Sequence, residues 1–380
     1  MDMSHRIYSL DVFRGATIMA MILVNNAGSY DNAYPPLLHA AWHGWTITDW
    51  IFPFFLFIMG ISLVFSFENR RSKGQTQHQL IKHTLKRSAL LFALGLFING
   101  FPFGLIPGSE FSLGTWRIPG VLQRISLCYL SAGLIFLYSS LRYRWFWIVG
   151  LTGLYWIALK WIPVPGYGAG ILEPEGNLAW FIDSSLLGNH TWFFAPVKGF
   201  DPEGILSTIP AIASTLLGVQ TAHWLLNKTN RLDVTNKLFV AGFISLLIGL
   251  IVSIWLPINK NLWTSSYVFF MNGWALICFA VLFWIVDVRG IRKGTKPFVI
   301  FGMNAITVFT LSELLAGLLW TISWNKENGT FTTLHDALYE SVFLQIANPV
   351  NASLLFALSI VGVMYFVAHI MWEKKWFVKI

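Results

Sequence analysis

The stretch Leu38-His39-Ala40-Ala41-Trp42-His43-Gly44-Trp45-Thr46-Ile47-Thr48-Asp49 runs through Trp50 into Ile51-Phe52-Pro53-Phe54-Phe55-Leu56-Phe57-Ile58-Met59-Gly60-Ile61-Ser62-Leu63-Val64-Phe65-Ser66-Phe67. The second stretch is long enough and apolar enough to cross a hydrocarbon core of roughly 30 Å, which takes about 20 residues of helix. The first therefore sits where a membrane helix meets water. It carries two histidines and a carboxylate, and an unperturbed imidazole titrates at about 6.5, so His39 can work as a base near neutral pH.

The same reading extends along the chain. Hydrophobic residues make up 55% of the 380 residues and charged residues only 12%, where a soluble domain carries roughly 25% charged residues. The mean hydropathy is +0.60. Ten apolar segments are predicted, near 9–28, 47–67, 86–103, 118–139, 144–162, 204–226, 237–256, 263–286, 298–320 and 350–372. A shorter stretch, 334–347, is predicted to be interfacial. The expected fold is an all-α, polytopic membrane helical bundle of about ten transmembrane helices. Residues 1–380 form one domain with an outer loop at 163–203, and the first segment reads as retained rather than as a cleaved leader.

The net charge of +8 does not indicate a nucleic-acid partner, because Lys and Arg gather in alternate linkers: 68–87, 142–144, 228–237, 289–296 and 374–379. The loop 163–203 instead carries Glu173, Glu175, Asp183, Asp201 and Glu203. The positive-inside rule then predicts both termini in the cytoplasm and His39 on the outer side. Cys128 and Cys278 lie within predicted spans and read as buried apolar thiols. No metal-ligand spacing, phosphate loop, dinucleotide fingerprint or serine-nucleophile motif is present.

Ionisable and amide groups inside apolar spans are costly unless paired or facing a wet cavity, so they nominate the site. Asp11 and Arg14 are spaced for mutual pairing. Asn25 and Asn26 close the first segment. Asp49 opens the second, where it suits a helix cap as well as chemistry. Arg124 lies two turns inside the fourth segment and calls for a buried anion. Glu313 lies in the ninth, with Asn304 two and a half turns earlier. His43 stands beside His39. His78 and His83 fall in a basic linker, and His5, His190, His223, His335 and His369 are isolated. One outward-facing pocket holding His39, Asn25, Asp49, Arg124 and Glu313 would relieve all of these groups together.

Several blocks resemble the transmembrane heparan-alpha-glucosaminide N-acetyltransferase family and its bacterial relatives. They are Ser9-Leu10-Asp11-Val12-Phe13-Arg14-Gly15, His39-Ala40-Ala41-Trp42-His43-Gly44 with Asp49 and Phe52-Pro53, and Ile118-Pro119-Gly120-Val121-Leu122-Gln123-Arg124. Asp201-Pro202-Glu203-Gly204, Asn259-Lys260-Asn261-Leu262-Trp263, Ser266-Tyr267 and Gly302-Met303-Asn304 follow in order. The resemblance implies transfer of acetyl from cytoplasmic acetyl-CoA to the amine of a glucosamine-type sugar at the outer face. It implies that the family's active-site histidine matches His39 and its nearby asparagine Asn25. The lysosomal enzyme of the family has an additional luminal region before the shared core, and an asparagine where this chain has His43.

That chemistry suits the residues. N-acetylation needs a base during attack on the thioester, and an imidazole serves near neutral pH. Asn25 or backbone N–H groups would stabilise the oxyanion. Asp49 or Glu313 would orient the imidazole or bind the ammonium, with Arg124, Asn304, Asn261, Trp263 and His43 as further substrate-binding positions. Arg14, Lys86 and Arg87 are the expected contacts for the anionic end of acetyl-CoA, and no metal is expected. The amino sugar, acetyl-CoA and the bilayer are the expected partners, with a homodimer left open. Two other readings fit the same residues: a secondary transporter for a small sugar, and a membrane O-acyltransferase.

Overall fold

The computed structural model describes residues 7–106, 109–226, 230–326 and 329–378, so His5 lies outside the described residues. A helix occupies each expected apolar segment. In chain order these are α1 (Tyr8–Asn25), α2 (Ile51–Arg71), α3 (Gln77–Gly100), α4 (Val121–Tyr138), α5 (Leu141–Trp161), the short α6 (Leu178–Leu187), α7 (Thr208–Leu226), α8 (Arg231–Ser253), α9 (Ser265–Phe283), α10 (Lys296–Met303), α11 (Ala305–Thr321) and α12 (Pro349–Glu373). Six of these are long and apolar enough by themselves to cross a membrane, or up to seven if the bent pair α10–α11 counts as one span. The other long helices, α1, α3 and α5, are more polar. The ninth segment is not a continuous helix: it breaks at Asn304 with an 83° bend.

The chain is not purely helical. Ser323–Asn325 and Phe331–Thr333 pair as two short antiparallel strands, β1 and β2, with Trp324 opposite Thr332. The expected interfacial stretch follows them as Leu334–Leu338, a π turn at Tyr339–Phe343 and Leu344–Ile346.

Hydrogen bonds sort the linkers into two ends. At one end, Gly44 N–H donates to Ile258 O (2.8 Å), Ile118 N–H to His190 O (2.9 Å) and Trp42 Nε1–H to Leu172 O (2.8 Å). These stitch loops 26–50, 101–120, 162–207 and 254–264 together. At the other end, Asp287 accepts from the N–H groups of Tyr8 (3.2 Å) and Ser9 (2.9 Å), supplying the cap that α1 lacks locally. Arg231 donates to the Asp287 carbonyl, and Arg144 meets His223 at 2.6 Å. An uncapped helix start leaves orphan N–H donors, which explains why a distant carboxylate is used there.

Within the bundle, small residues bring backbones into contact, as expected where lipid removes much of the hydrophobic drive for helix association. A Cβ on Gly15 would lie 1.6 Å from Phe298 O, and one on Gly302 would lie 2.3 Å from Asp11 O, so α1 and α10 touch through paired glycines. Gly60 of α2 and Gly218 of α7 repeat the arrangement, each with the other helix's carbonyl 2.1 Å from a built Cβ. A single large core of buried side chains spans these helices. Gly15→Ala is therefore expected to lower the stability of detergent-solubilised protein by about 1–3 kcal/mol, the usual cost of overpacking. Gly150→Ala on α5, where nothing lies within 4 Å of a built Cβ, is expected to be neutral or stabilising. A melting series that ranks the two variants the other way would contradict this packing.

Candidate active site

The site is built on a loop that one carboxylate organises. Residues 35–37 form a 3-10 turn, the chain then extends to Thr46, and Ile47–Trp50 make a second 3-10 turn leading into α2. Asp49 is 1% exposed. Its Oδ2 accepts from Thr46 N–H (2.9 Å) and Ala40 N–H (3.1 Å), while the Thr46 hydroxyl donates to Leu38 O (2.6 Å). This oxygen caps the turn and pins the preceding loop. The other oxygen, Oδ1, faces His39 Nδ1 at 2.7 Å. Asp49 is thus both a cap and the partner of an imidazole. A carboxylate accepting from Nδ1–H leaves the Nε2 lone pair of the neutral ring available. His39 itself is half exposed, so the ring is within reach of a ligand.

A second loop brings a cation to the same ring. Asn259 Oδ1 accepts from Leu262 N–H (2.8 Å), and Thr264 Oγ1 donates to Pro257 O (2.8 Å) while accepting from Asn259 N–H (3.1 Å). This closes a tight turn in which Trp263 takes φ +50°, a left-handed conformation uncommon for a bulky side chain. The turn projects Lys260 onto His39: Nζ lies 3.1 Å from Nδ1 and 3.0 Å from Nε2, and 3.9 Å from Asp49 Oδ1. Asn259 Nδ2 also donates to His43 Nδ1 (3.2 Å). Asn261 belongs to the same turn.

Trp263 is 1% exposed and forms the floor below. Its indole N–H donates to Ser214 Oγ (3.1 Å), and the Arg124 guanidinium stacks over its ring at 5.0 Å. Arg124, also 1% exposed, donates to Ser207 Oγ and to Gly204 O (3.4 Å). The anion expected at Arg124 is not supplied by Asp49, which is committed to His39 and its own loop. A cation over an aromatic face, worth about 2 kcal/mol when desolvated, and these oxygens serve one side of the guanidinium, while Nε and Nη1 are buried without a hydrogen-bond partner among the described residues. Arg124 remains within electrostatic reach of Lys260 and Glu203.

At the rim, Arg117 forms a bidentate pair with Asp201 (Nε–Oδ2 2.8 Å, Nη2–Oδ1 2.7 Å) and reaches Glu203 at 2.7 Å. Asp201 is fully buried and also accepts from the N–H groups of Trp192 and Glu203, both at 2.9 Å. On the α1–α11 side, Asn25 Nδ2 donates to Glu313 Oε1 (3.3 Å), and Tyr30 donates to the Asn25 carbonyl (2.9 Å). Asn25 thus turns its amide to Glu313, and Arg117 lies within electrostatic reach of that carboxylate.

The other expected residues lie elsewhere. Arg14 pairs with Asp11 (3.3 Å) and donates to Ser62 (2.6 Å), whereas Arg87 stacks over Tyr129 at 4.7 Å. Lys86 is exposed on α3. Asn304 is buried in the α10–α11 break, where both its amide atoms lack partners among the described residues. Among those residues no His, Cys, Asp and Glu group is arranged to hold a metal ion.

These neighbours shift protonation equilibria. Burial lowers the His39 pKa below the usual 6.5, Lys260 lowers it further, and Asp49 works the other way. Burial also lowers Lys260, against the pull of Asp49 and Glu203. Burial alone would raise Glu203, yet Arg117, Arg124 and Lys260 hold it below its ordinary value. Asp183, fully buried against Gly204, is pushed by burial up to about 7.

A family model described as heparan-alpha-glucosaminide N-acetyltransferase, catalytic, matches residues 6–253. Human heparan-alpha-glucosaminide N-acetyltransferase is 32% identical over 375 residues, covering 85% of this chain and 55% of the human protein. The mouse protein is 31% identical over 361 residues, covering 82% and 54%. The chain belongs to the heparan-alpha-glucosaminide N-acetyltransferase family. It is an integral membrane protein that spans about half the length of these two relatives.

Within this family member, Lys260, Arg117, Asp201 and Glu203 lie around His39 and Arg124 in the candidate site without having been nominated from the sequence. A signal existed for the two cations. Basic residues gather in the inner linkers of a membrane protein, so a lysine at 260 and an arginine at 117, both in linkers expected on the outer side, stand out in the sequence.

The shifted imidazole gives a test by pH. A depressed folded-state pKa means that the neutral ring's contribution to stability is fully present above 6.5 and is lost as pH falls through the folded midpoint. The NMR signal of His39, assigned by its loss in His39→Ala, should titrate below 6.5. Lys260→Met should move the midpoint up and Asp49→Asn should move it down. Opposite movements would show that this charge arrangement is not present in solution.

Proposed function

We propose that this chain transfers acetyl from acetyl-CoA to the amine of a glucosamine-type sugar at the outer face of a bacterial cytoplasmic membrane. In this reading the chain crosses ten times, with both termini and the basic linkers in the cytoplasm. The linkers attract the anionic nucleotide of acetyl-CoA, while its thin pantetheine arm carries the thioester to the outer mouth.

The observation that carries the proposal is the 2.7 Å contact between a buried, three-times-bonded Asp49 and the half-exposed ring of His39. A fixed carboxylate on Nδ1 sets the tautomer and stabilises the imidazolium that forms as Nε2 takes a proton. The acceptor amine attacks the thioester carbon, the C–N bond forms, and His39 removes the extra proton. As the C–S bond breaks, the imidazolium returns that proton to sulfur and CoA departs as the thiol. Depression of the His39 pKa keeps the ring in its basic form below neutral pH. Glu203 and the Asn25–Glu313 pair offer carboxylates to a sugar ammonium. Arg124 acts on the site electrostatically from beneath Trp263.

Purified protein in lipid nanodiscs, given acetyl-CoA and a panel of amino sugars, is expected to release free CoA and form N-acetyl sugar. His39→Ala should cut the rate by at least about a hundredfold, the low end of what a general base contributes. Asp49→Asn should also lower the turnover rate sharply without weakening acetyl-CoA binding. Binding or movement of sugar with no CoA release would overturn the proposal in favour of a transporter. Transfer to hydroxyl acceptors alone would overturn the choice of amine.

A further inference from the structure

The base already has an amine beside it. Lys260 Nζ lies 3.0 and 3.1 Å from the two ring nitrogens of His39 and 3.9 Å from Asp49. Near-equal distances put Nζ over the N–C–N edge of the ring, not along the Nε2 lone pair. A displacement on the order of an ångström would align it, and hydrogen bonds to catalytic groups in ligand-free sites commonly tighten only when the reacting complex forms. An acceptor amine must occupy this same position. We infer that Lys260 occupies the acceptor-amine position and is a self-acetylation site, modified by acetyl-CoA when no sugar amine displaces it. The inference rests on the proposed acetyl transfer, and it adds a covalent regulation of that site.

Three features beyond proximity support it. The lysine side chain is only 17% exposed, so acetyl donors in bulk solvent do not reach it freely. Its turn is fixed by the Asn259 and Thr264 hydrogen bonds and by buried Trp263, which anchors the base of the side chain beside the ring while leaving Nζ able to shift. Burial also favours the uncharged amine, and only the uncharged amine is a nucleophile.

The reaction balances without any further reagent. The ammonium first gives one proton to solvent. The neutral Nζ attacks the thioester carbon, the N–C bond forms, and His39 Nε2 accepts the second proton. The C–S bond then breaks, the sulfur takes the proton back from the imidazolium, and CoA leaves as the thiol. The product is Nζ-acetyl-Lys260, a neutral acetamide against the imidazole. It removes the cation that faces Asp49 and Glu203, and it fills the position of the acceptor amine. The modified enzyme is blocked, so the donor is not spent while sugar is scarce.

Full-length protein in nanodiscs would be incubated with isotopically labelled acetyl-CoA, with and without a saturating amino sugar. Peptide mass spectrometry would then measure label at Lys260 and at Lys198, an exposed loop lysine. Without sugar, label is expected at Lys260 in excess of Lys198, with N-acetyltransfer activity falling in proportion to the label. Saturating sugar should suppress it. In His39→Ala the labelling rate should drop about a hundredfold or more, as for a lost general base. In Lys260→Arg the peptide should carry no label at all, which confirms the position. Sugar turnover with no label at Lys260 would overturn the inference and leave the proposed function standing. Label at Lys260 that depends on His39, without sugar turnover, would uphold the acetylation of Lys260 and overturn both the sugar as acceptor and the regulatory role. Equal label at Lys198, or label unaffected by His39→Ala, would overturn the inference by showing spontaneous acylation.

Discussion

The Asp49 carboxylate is the constraint on which the site depends. It is 1% exposed, and among the described residues no lysine or arginine is in tight contact with it, Lys260 standing 3.9 Å away. Its burden is carried by Thr46 N–H, Ala40 N–H and His39. Hydrogen bonds to a charged group are worth about 1.5–3 kcal/mol each, and a buried charge that loses them costs more than they contributed. The loop from His39 to Thr46 therefore has one strongly preferred arrangement around this carboxylate, and the imidazole is held with it. Tyr267 of α9 donates to the Asp49 carbonyl at 2.7 Å, which ties the same turn to the bundle.

Around this pair the charges alternate. Lys260 faces Asp49 and Glu203, Arg117 is clamped between Asp201 and Glu203, and Arg124 lies under Trp263 without a carboxylate in contact among the described residues. Burial first, and then the Lys260 ammonium, explain why the imidazole is harder to protonate than a free one. Such an arrangement suits a base that must be neutral before the reaction and cationic only during it. Most of these charges sit on the four loops that converge at one end of the bundle, with Arg124 of α4 and Glu313 of α11 reaching toward them from the helices.

Much of this was legible in the sequence. The apolar segments located every long helix, because hydropathy over about 20 residues is a strong local signal. The spacing of Asp11 and Arg14 foretold their pairing, whereas Asp49, expected as the N-cap of the second segment, stands three residues inside a 3-10 turn and reaches back to the N–H of Thr46, the residue that caps it. The bend at Asn304 was not legible, since Gly302-Met303-Asn304 contains no proline and the apolar run continues through it. The β1–β2 pair was missed because three-residue strands carry almost no pattern. Lys260 and Arg117 were missed for a different reason. Their partners lie 221 and 84 residues away in the chain, so their placement in linkers expected on the outer side marks them as unusual without showing which groups they meet. Arg124 was nominated for the right reason, its burial, but an aromatic face had not been weighed as its partner.

The central claim is that His39 is the base at which donor and acceptor meet. A structure of the chain with a non-hydrolysable acetyl-CoA analogue and an amino sugar bound tests it most directly. The account predicts the sugar nitrogen within about 3.2 Å of the His39 ring, the reach of a general base, and within about 3.5 Å of the acyl carbon. It also predicts Lys260 displaced from the ring. A ternary complex with both ligands ordered and the sugar nitrogen distant from His39, or with the acyl group held at the opposite end of the bundle, would contradict it.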